Sequence, residues 1–476
     1  SRGCFLGDRD SPTMPPSGKY VIHLQLHGLF RGNPEIGHDA DTGGQITYVY
    51  DLVAAQMKSD EYESVEVITR LIDDPSVSSD YGTTAEPLPS GAMIYRLSFG
   101  PAGYISKEAL WAFNDEIDEP LRLHIEKAGR KPDFIHAHYA DAGLAGVRIC
   151  GLLGIPLAFT PHSLGRYRLR SMDHIKDDLR EIFQTRIQAE EIALAHATLT
   201  TVNSWHELQQ LQEYENFDIG HCQVLSAGVD CEAFRPYKGE DLSTVKQALH
   251  KGGIQDVSRP TVLAAARLHH SKRLPAIVNA FASSKILTEN CNLVFLLGAK
   301  QGNEKSPEQQ VRKELQEAIQ SNFSALHGKV ACLEALPRKS VCEVFQWASK
   351  SHGVFVHAAK SEPFGLCLLE AAASALPVVA SLSGGPGQII QSCNHGIAVD
   401  TMSNEALRHG MEAVLHEDCW RIFSQNGAVE SRKKFSWRAH VNFLANALAS
   451  ETEETYSAKP FDADIILNQT THVLEV

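Results

Sequence analysis

The sequence predicts an α/β protein with two Rossmann-like, doubly wound domains that face each other across a cleft. Three observations lead to this prediction: the length of 476 residues, the alternation of strand-like apolar runs with helical patterns, and one interruption of that alternation near residue 250. At about 100–200 residues per domain, the length allows two or three domains. Alternating strands and helices indicate parallel sheets covered by helices on both faces, and a single interruption favours two domains.

Short apolar runs rich in β-branched residues define the predicted strands of the first half. These runs are 20–25, 65–69, 92–97, 133–137, 156–160 and 197–202. Residues 45–57 are predicted to form a helix, and further helical patterns connect the other strands.

The alternation pauses around residues 234–260, which contain Arg235-Pro236, Gly252-Gly253 and Pro260. Such a stretch is typical of a domain boundary. The alternation then resumes, and the predicted strands of the second half are 261–266, 292–297, 329–333, 353–357 and 377–380. Ligands of doubly wound sheets bind outside the carboxyl ends of the strands, so two such domains would form a cleft.

Composition and charge exclude several classes of protein. The chain is 43% apolar and 21% charged, and 44 Lys and Arg face 58 Asp and Glu, a formal charge of −14. An acidic chain is a poor general binder of nucleic acid, and no apolar run approaches the ~20 residues of a membrane span. The ten cysteines form no Cys-x-x-Cys pair, which is typical of thiols in a reducing compartment. We therefore expect a cytoplasmic protein with no nucleic-acid or membrane partner. No histidine motif predicts a metal site, and His136 and His138 are interpreted as strand residues.

The loop after the first strand ends in Gly43-Gly44-Gln45 at the start of a predicted helix. A glycine pair there lets backbone N–H groups approach an anion closely. The length of the loop and its Asp39 and Asp41 favour a functional role, although a simple turn is the alternative.

His162 stands just past the carboxyl end of strand 156–160, where a sugar-binding or catalytic residue would project. Arg166, Arg168 and Arg170 follow at two-residue spacing. Guanidinium groups suit a phosphate dianion. A solvated loop with nearby aspartates is an equally good interpretation of these residues.

Two further strand ends carry charged groups. Arg267 follows strand 261–266, and Lys272 follows five residues later, so both cations would meet a pyrophosphate in the cleft. Glu362 precedes Gly365-Leu366, which is predicted to begin a helix, and Glu370 lies within that helix. A helix start holds phosphate, and each carboxylate can accept two sugar hydroxyls. A surface basic pair and an exposed helical glutamate are the alternatives.

Taken together, these motifs resemble the retaining GT-B glycosyltransferases. The resemblance rests on Glu362-x7-Glu370 with Pro-Phe-Gly-Leu between the acids, and on the Arg267/Lys272 spacing. More narrowly, the segments around Asp41-Thr-Gly-Gly-Gln45 and His162-Ser-Leu-Gly-Arg166 are similar to the sucrose synthase and sucrose-phosphate synthase group. This resemblance covers about residues 20–443 and implies glucosyl transfer from UDP-glucose to fructose 6-phosphate, with sucrose 6-phosphate and UDP as products.

The resemblance also implies roles for individual residues, and no metal or cofactor is required by it. The catalytic set is His162, Arg267, Lys272 and Glu362. The donor-binding set is Gly43, Gly44, Arg267, Lys272, Glu362, Phe364, Gly365, Leu366 and Glu370. The acceptor-binding set is Gly43, Gln45, Lys107, Arg166 and Arg186.

The implied domain organisation has five parts. Residues 1–18 are a flexible leader, 19–250 the acceptor-binding domain, 251–435 the UDP-sugar-binding domain and 451–476 a tail. A helix around 436–450 is expected to pack back on the first domain. The length leaves no room for a fused phosphatase domain, so a separate phosphatase is expected to act on the product.

Other functions remain as alternatives. Transfer to free fructose, as in sucrose synthases, is disfavoured by Arg166, because those enzymes lack the Ser-Leu-Gly-Arg loop. A GDP-mannose-dependent synthesis of mannosylfructose phosphate keeps the same fold. A nicotinamide oxidoreductase is disfavoured because Gly-x-Gly-x-x-Gly is missing. A non-catalytic sugar-phosphate sensor is disfavoured by the intact charged set.

Overall fold

The computed structural model describes residues 18–33, 41–170, 172, 176–215, 218–298, 307–360, 362 and 364–455. In this part of the chain, two mainly parallel sheets are covered by helices. The strands of the first sheet are β1 (Lys19–Leu24), β2 (Tyr62–Arg70), β3 (Ala85–Pro87), β4 (Met93–Leu97), β5 (Phe134–His138), β6 (Leu157–Thr160), β7 (Leu199–Val202) and β8 (Cys222–Val224). Their order is β3-β4-β2-β1-β5-β6-β7-β8, and β3 pairs with β4 antiparallel while the other pairs are parallel.

The second sheet is parallel throughout its described strands. These are β9 (Thr261–Ala266), β10 (Asn292–Leu297), β11 (Val330–Glu334), β12 (Val354–His357), β13 (Val378–Ser381) and β14 (Gly396–Val399). Their order is β11-β10-β9-β12-β13-β14.

The helices lie between and around these strands. Those of the first half are α1 (Gly44–Met57), α2 (Lys107–Leu110), α3 (Asp118–Lys127), α4 (Ala140–Leu153), α5 (Gly165–Arg170), α6 (Asp177–His196) and α7 (Trp205–Leu211). Those of the second half are α8 (Ser243–Lys251), α9 (Leu274–Ala282), α10 (Lys285–Asn290), α11 (Pro307–Ser321), α12 (Phe323–Leu326), α13 (Arg338–Lys350), α14 (Leu366–Ala373), α15 (Gly385–Cys393), α16 (Asn404–Val414), α17 (Glu417–Lys434) and α18 (Trp437–Thr455).

The strand order reverses once in each sheet, beside β1 and beside β9. In the first sheet the chain builds outward from β1 through β2 and then returns to β5 on the other side of β1; the second sheet repeats this with β9, β10 and β12. Loops that leave neighbouring strands at such a reversal diverge and open a crevice. The prediction of two doubly wound domains is confirmed.

Each predicted strand is present to within about three residues at either end. The structure adds three strands that the patterns did not predict: β3, β8 and β14. β3 and β8 have only three residues each, and β14 begins with a glycine. Segments this short carry too little periodicity to distinguish a strand from a turn.

The connection between the domains contains α8. Its Val245 and Leu249 are buried, it contacts α13 and β11 of the second sheet, and the N–H of Gln255 donates to the carbonyl of Gly328 over 2.8 Å. The boundary expected between residues 250 and 251 therefore falls at the end of a helix that packs on the second domain.

The last helix, α18, returns to the first domain and packs on α1. The ring of Trp437 lies 5.3 Å from that of Tyr48, and the Tyr48 hydroxyl is 3.2 Å from Nε2 of His440. Before the helix, the N–H of Val229 donates to the carbonyl of Phe435 over 2.7 Å. The chain thus crosses back at residues 435–437, and α18 continues through residues 451–455, which were expected to belong to the tail. The rest of the expected tail, 456–476, and residues 1–17 of the expected leader lie outside the described residues.

Among the described residues, no helix combines the length and apolarity needed to cross a membrane. The nine cysteines in the described part of the chain are unpaired, and six of them are buried.

The packing of α18 predicts a specific loss of stability. Trp437 is buried whereas Trp205 is 63% exposed. We expect Trp437→Ala to lower the free energy of unfolding by about 3–5 kcal/mol, because removal of a buried aromatic ring leaves a cavity. Trp205→Ala is the matched control and is expected to change it by less than about 1 kcal/mol. Urea unfolding followed by circular dichroism measures both, and equal losses would contradict the packing described for α18.

Candidate active site

The candidate site lies where loops leave the carboxyl ends of strands beside the two reversals. The loop after β1 leads to Gly43, and β6 is followed by His162. In the second domain, Arg267 follows β9 and Glu362 follows β12. The strand order brings these four segments to one cleft.

The glycine pair begins α1, as the sequence predicts. Gly43 is the N-cap and Gly44 the first helical residue. A Cβ atom placed on Gly43 would lie 3.2 Å from Nη1 of Arg267, so a larger residue would press against this guanidinium group from the other domain. The first turn of α1 contains no acidic residue, which leaves its N–H groups suited to an anion.

Two predicted acceptor residues flank this glycine turn. The Gln45 amide nitrogen donates to Oε1 of Gln25 over 2.7 Å. The Lys107 ammonium group contacts Oδ1 of Asp41 over 2.5 Å, and the Lys107 N–H donates to Oδ2 over 2.9 Å. Burial opposes the charge of Lys107, but Asp41 outweighs it and raises the pKa of the lysine. This pair holds the loop before Gly43 against the start of α2.

A half-buried ion pair connects the segments that follow β9 and β12. The Lys272 ammonium group contacts Oε2 of Glu362, and Nε2 of His357 lies 3.4 Å from the same oxygen. Burial disfavours the charged form of Glu362, yet Lys272 and His357 hold its pKa well below the usual range. The carboxylate therefore stays ionised, with the lysine beside it.

Positive charge concentrates around this pair. Burial lowers the pKa of His269, and the charges of Arg267, Arg168 and Lys272 lower it further. The presence of Arg267, Arg168 and Lys272 around His269 indicates a positive potential at this edge of the second sheet. Such a potential favours a phosphate dianion.

The second predicted acid, Glu370, lies in a small cavity between the domains. Asp51, Arg338 and Leu366 line the same cavity. Burial raises the pKa of Glu370 to about 7, with Arg338 lowering it and Asp51 raising it. Arg338 also donates to Oδ2 of Asp51 over 2.9 Å, which joins α13 to α1.

The predicted helix start after Glu362 is present as α14. Gly365 is its N-cap with a φ of 95°, and a Cβ there would lie 2.8 Å from Cδ1 of Leu368. Only glycine adopts this conformation without strain. Phe364, predicted to contact the donor, is buried in the hydrophobic core. Gly384 also requires the absence of a side chain, since its Cβ would lie 2.6 Å from the Glu362 carbonyl oxygen.

His162 has a left-handed backbone, with a φ of 58°. Its Nε2 lies 2.9 Å from Nδ1 of His138, and Tyr48 contacts its ring edge-on at 4.8 Å. A non-glycine residue in this conformation stores strain that the surrounding contacts must hold. Such strain is common at functional sites.

The predicted acceptor arginines do not all lie together. Arg186 is buried, donates to Glu190 and to both oxygens of Ser163, and stacks over Tyr139 at 4.5 Å. Arg166 pairs with Glu191 over 2.7 Å and stacks on Tyr214 at 5.1 Å. Arg166 therefore contacts Glu191 of α6 and Tyr214, which follows α7. The structure does not bring Arg166 together with Lys107 and Arg186.

Arg168 lies where the acceptor prediction expected Arg166. Desolvation and the charge of Arg186 lower the pKa of Arg168. Arg267 also lowers this pKa, whereas Tyr139 and Glu362 raise it. Residues two apart on a helix point about 200° apart, so Arg166 and Arg168 lie on opposite faces of α5. If residues 165–170 are interpreted as a helix, the sequence alone places the two arginines on opposite faces.

Two family models match the chain. The model described as Glycosyltransferase Family 4 matches residues 42–233, and the model described as Glycosyl transferases group 1 matches residues 245–439. Both models describe glycosyltransferases, and the chain has the two doubly wound domains of the GT-B fold.

Within that class, the chain is homologous to sucrose-phosphate synthases. It is 31% identical to probable sucrose-phosphate synthase 2 of Craterostigma plantagineum, over 90% of this chain and 48% of that protein. It is 29% identical to sucrose-phosphate synthase 4 of Arabidopsis thaliana, over 90% of this chain and 47% of that protein. The chain therefore spans about half the length of these curated relatives.

Solved structures share the fold. A sucrose-phosphate synthase from Thermosynechococcus elongatus superposes with a TM-score of 0.73 at 22% identity, over 92% of this chain and all of the other. Anabaena Alr3699/HepE in complex with UDP-glucose superposes with a TM-score of 0.62 at 17% identity, over 91% of this chain and all of the other.

The raised pKa of Glu370 predicts a pH-dependent loss of stability. An acid whose pKa is raised by folding stabilises the protein while protonated, and this contribution disappears as the pH rises from about 4.5 to about 7. Over this pH range, we expect the free energy of unfolding of the wild type to decline by up to about 3 kcal/mol because of Glu370. Glu370→Gln is expected to remove this decline. Urea unfolding at pH 5 and pH 8 measures the difference.

The matched control for this prediction is Glu405→Gln, which changes a carboxylate that is 75% exposed on α16. This variant is expected to keep the pH dependence of the wild type. If Glu370→Gln and the wild type declined equally between the two pH values, the assignment of the raised pKa to Glu370 would be wrong.

Proposed function

We propose that the protein transfers glucose from UDP-glucose to fructose 6-phosphate with retention at the anomeric carbon, giving sucrose 6-phosphate and UDP. The observation that carries this proposal is the half-buried Lys272–Glu362 pair beside Arg267, opposite the glycine turn of α1. It supplies cations for a pyrophosphate and an ionised acceptor for sugar hydroxyls in one cleft. The homology to sucrose-phosphate synthases supports the choice of substrates.

Each group of the donor would meet a suitable partner. Arg267 and Lys272 neutralise the pyrophosphate, aided by the N–H groups at Gly43-Gly44 and Gly365-Leu366. Glu362 accepts hydrogen bonds from the glucose hydroxyls, and Glu370 accepts them from the ribose.

Retention is proposed to occur through attack on the same face as the leaving group. Retaining glycosidases place two carboxyl groups about 5–5.5 Å apart, one as nucleophile. Here Glu362 is committed to Lys272 and His357, and the neighbouring Glu207 caps α7 by accepting from the N–H of Asn203. We therefore propose that the bond from C1 to the phosphate oxygen breaks as the bond to the acceptor oxygen forms. The acceptor proton passes to the departing phosphate oxygen.

The acceptor is proposed to bind between the glycine turn and α5. Gly43 and Gln45 would contact the sugar, while Lys107, Arg186 and Arg168 would surround its phosphate. A cluster of three cations in a chain with a net charge of −14 favours an anionic acceptor over free fructose.

Three further points belong to this proposal. The reaction needs no metal, because Arg267 and Lys272 supply the positive charge. The product is a phosphate ester, so a phosphatase activity would consume it. A cytoplasmic location is supported by the unpaired cysteines.

Lys272 tests the donor half of the proposal. We expect Lys272→Ala to lower kcat by about 10²–10³, because a single group that stabilises charge in the transition state contributes about 3–4 kcal/mol. Binding of UDP-glucose, measured by calorimetry, is expected to weaken less. Lys285→Ala, which removes an ammonium group that is 85% exposed on α10, is the control. Near-wild-type turnover of Lys272→Ala would contradict the role.

The arginines of α5 test the acceptor half. With UDP release as the readout, the wild type is expected to prefer fructose 6-phosphate over fructose. Arg168→Ala is expected to reduce that preference by about 10–100-fold, the effect of losing a charged hydrogen bond. Arg166→Ala, on the opposite face of the same helix, is expected to retain more of it. Loss of the preference in Arg166→Ala alone would restore Arg166 as the phosphate ligand.

A further inference from the structure

A line of buried polar side chains leads from the interior of the first domain to His162. Its members are Gln56 of α1, His23 of β1 and His138 at the end of β5, and each has no measurable exposure to solvent. The catalytic set implied by the sequence includes His162, whereas the chemistry proposed for the cleft uses none of these three residues.

Each member of the line is joined to the next by a hydrogen bond. Nε2 of His162 lies 2.9 Å from Nδ1 of His138, and Nε2 of His138 lies 2.9 Å from Nδ1 of His23. Nε2 of His23 lies 2.7 Å from Oε1 of Gln56. The rings of His23 and His138 are stacked, with an interplanar angle of 13°.

The three imidazoles are neutral at physiological pH. Burial lowers the pKa of His23 to about 4 and that of His162 to about 3. Burial and neighbouring histidines hold the pKa of His138 well below its ordinary value. A neutral imidazole has one N–H donor and one acceptor nitrogen, so three rings supply one proton for each of the three hydrogen bonds.

The inner end of the line then determines the direction of all three hydrogen bonds. The structure turns the Gln56 amide so that Oε1 faces His23, while its Nε2 is buried without a partner. In this orientation the carbonyl oxygen can only accept, so His23 carries its proton on Nε2. Nδ1 of His23 is then an acceptor, which requires the proton of His138 on Nε2. By the same step, Nδ1 of His138 accepts from Nε2–H of His162.

We propose that Gln56, His23 and His138 form a hydrogen-bond relay that fixes His162 in its Nε2–H tautomer, so that Nδ1 of His162 is a hydrogen-bond acceptor for a ligand in the cleft. Gln56, His23 and His138 are positioning residues. If the proposed function is correct, the ligand group is a hydroxyl of the transferred sugar, which donates to Nδ1.

A metal ion is the competing interpretation of this cluster. Ligand nitrogens of His23, His136 and His138 lie within 4.8 Å of one another. However, the facing nitrogens of His23 and His138 are 2.9 Å apart, a hydrogen-bond distance, whereas metal ligation needs free lone pairs on both. Nε2 of His136 bonds to Thr160 over 2.7 Å, and Thr160 to Thr201 over 2.6 Å, which leaves only Nδ1 of His136 without a partner. These contacts favour the relay.

The tautomers can be measured directly in the full-length protein. We would label histidine with 15N, record long-range 15N–1H correlation spectra without substrate, and assign the signals with single His→Gln variants. The Nε2–H tautomer is expected for His23, His138 and His162. A proton on Nδ1 of His162, or a mixture of both tautomers in the wild type, would overturn the proposal.

Removal of the terminal acceptor tests the relay at a distance. Gln56→Met keeps the length of the side chain but not the carbonyl group, and it is expected to give His162 a mixture of tautomers. In an assay of glucosyl transfer, kcat is expected to fall about tenfold, the effect of one hydrogen bond, with KM for the donor little changed. Thr201→Val is the control, because it removes a buried hydroxyl from the neighbouring chain of hydrogen bonds and is expected to leave the His162 tautomer unchanged. An unaltered His162 spectrum in Gln56→Met would overturn the relay.

Two outcomes distinguish the relay from a metal site and from the proposed glucosyl transfer. One equivalent of zinc that binds the purified protein and shifts the His23 and His138 signals together would overturn the relay in favour of a metal site. If the tautomers are as expected but no donor and acceptor pair gives UDP release, the relay stands and the proposed function fails.

Discussion

The architecture depends on one constraint: parallel strands end at the same edge of a sheet, and the strand order reverses once in each domain. Beside β1 and β9 this reversal opens a crevice. The glycine turn, His162, the Lys272–Glu362 pair and Glu370 all come from segments that leave strands or begin helices at these edges. The return of α18 onto α1 then joins the end of the second half to the first domain.

Charge compensation organises the cleft that this topology creates. Lys272 pairs with Glu362, Lys107 with Asp41, and Arg338 with Asp51 beside Glu370. A partner carboxylate holds each cation in place, and Lys272 and Lys107 are half-buried, where an unpaired charge would be costly. An acidic protein can therefore present local positive potential to anions without a basic surface. The relay behind His162 works differently, because its members are neutral and transmit only the direction of a hydrogen bond.

Much of the fold was predictable because its signals are local. Strands such as β9 and β10 are continuous apolar runs bounded by turns, so their limits follow from the pattern. β3 and β8 were missed because three residues carry no usable period, and β14 because it begins with a glycine. Pairing with a neighbouring strand decides their structure. The helix α8 was hidden in the same way, since the polar stretch around it dominated the interpretation of residues 234–260.

The sequence by itself determined the class of fold, the position of each charged group relative to its strand, and the resemblance to glycosyltransferases. It did so because hydrophobic period and motif spacing are properties of neighbouring residues. Only the tertiary structure decided which side chains meet. It turned Arg168 towards the cleft and Arg166 towards Glu191, buried Phe364 in the core, and placed Gln56 at the end of a line of histidines. Helix phase and contacts between residues more than 100 positions apart set these relations, and no local pattern in the chain records them.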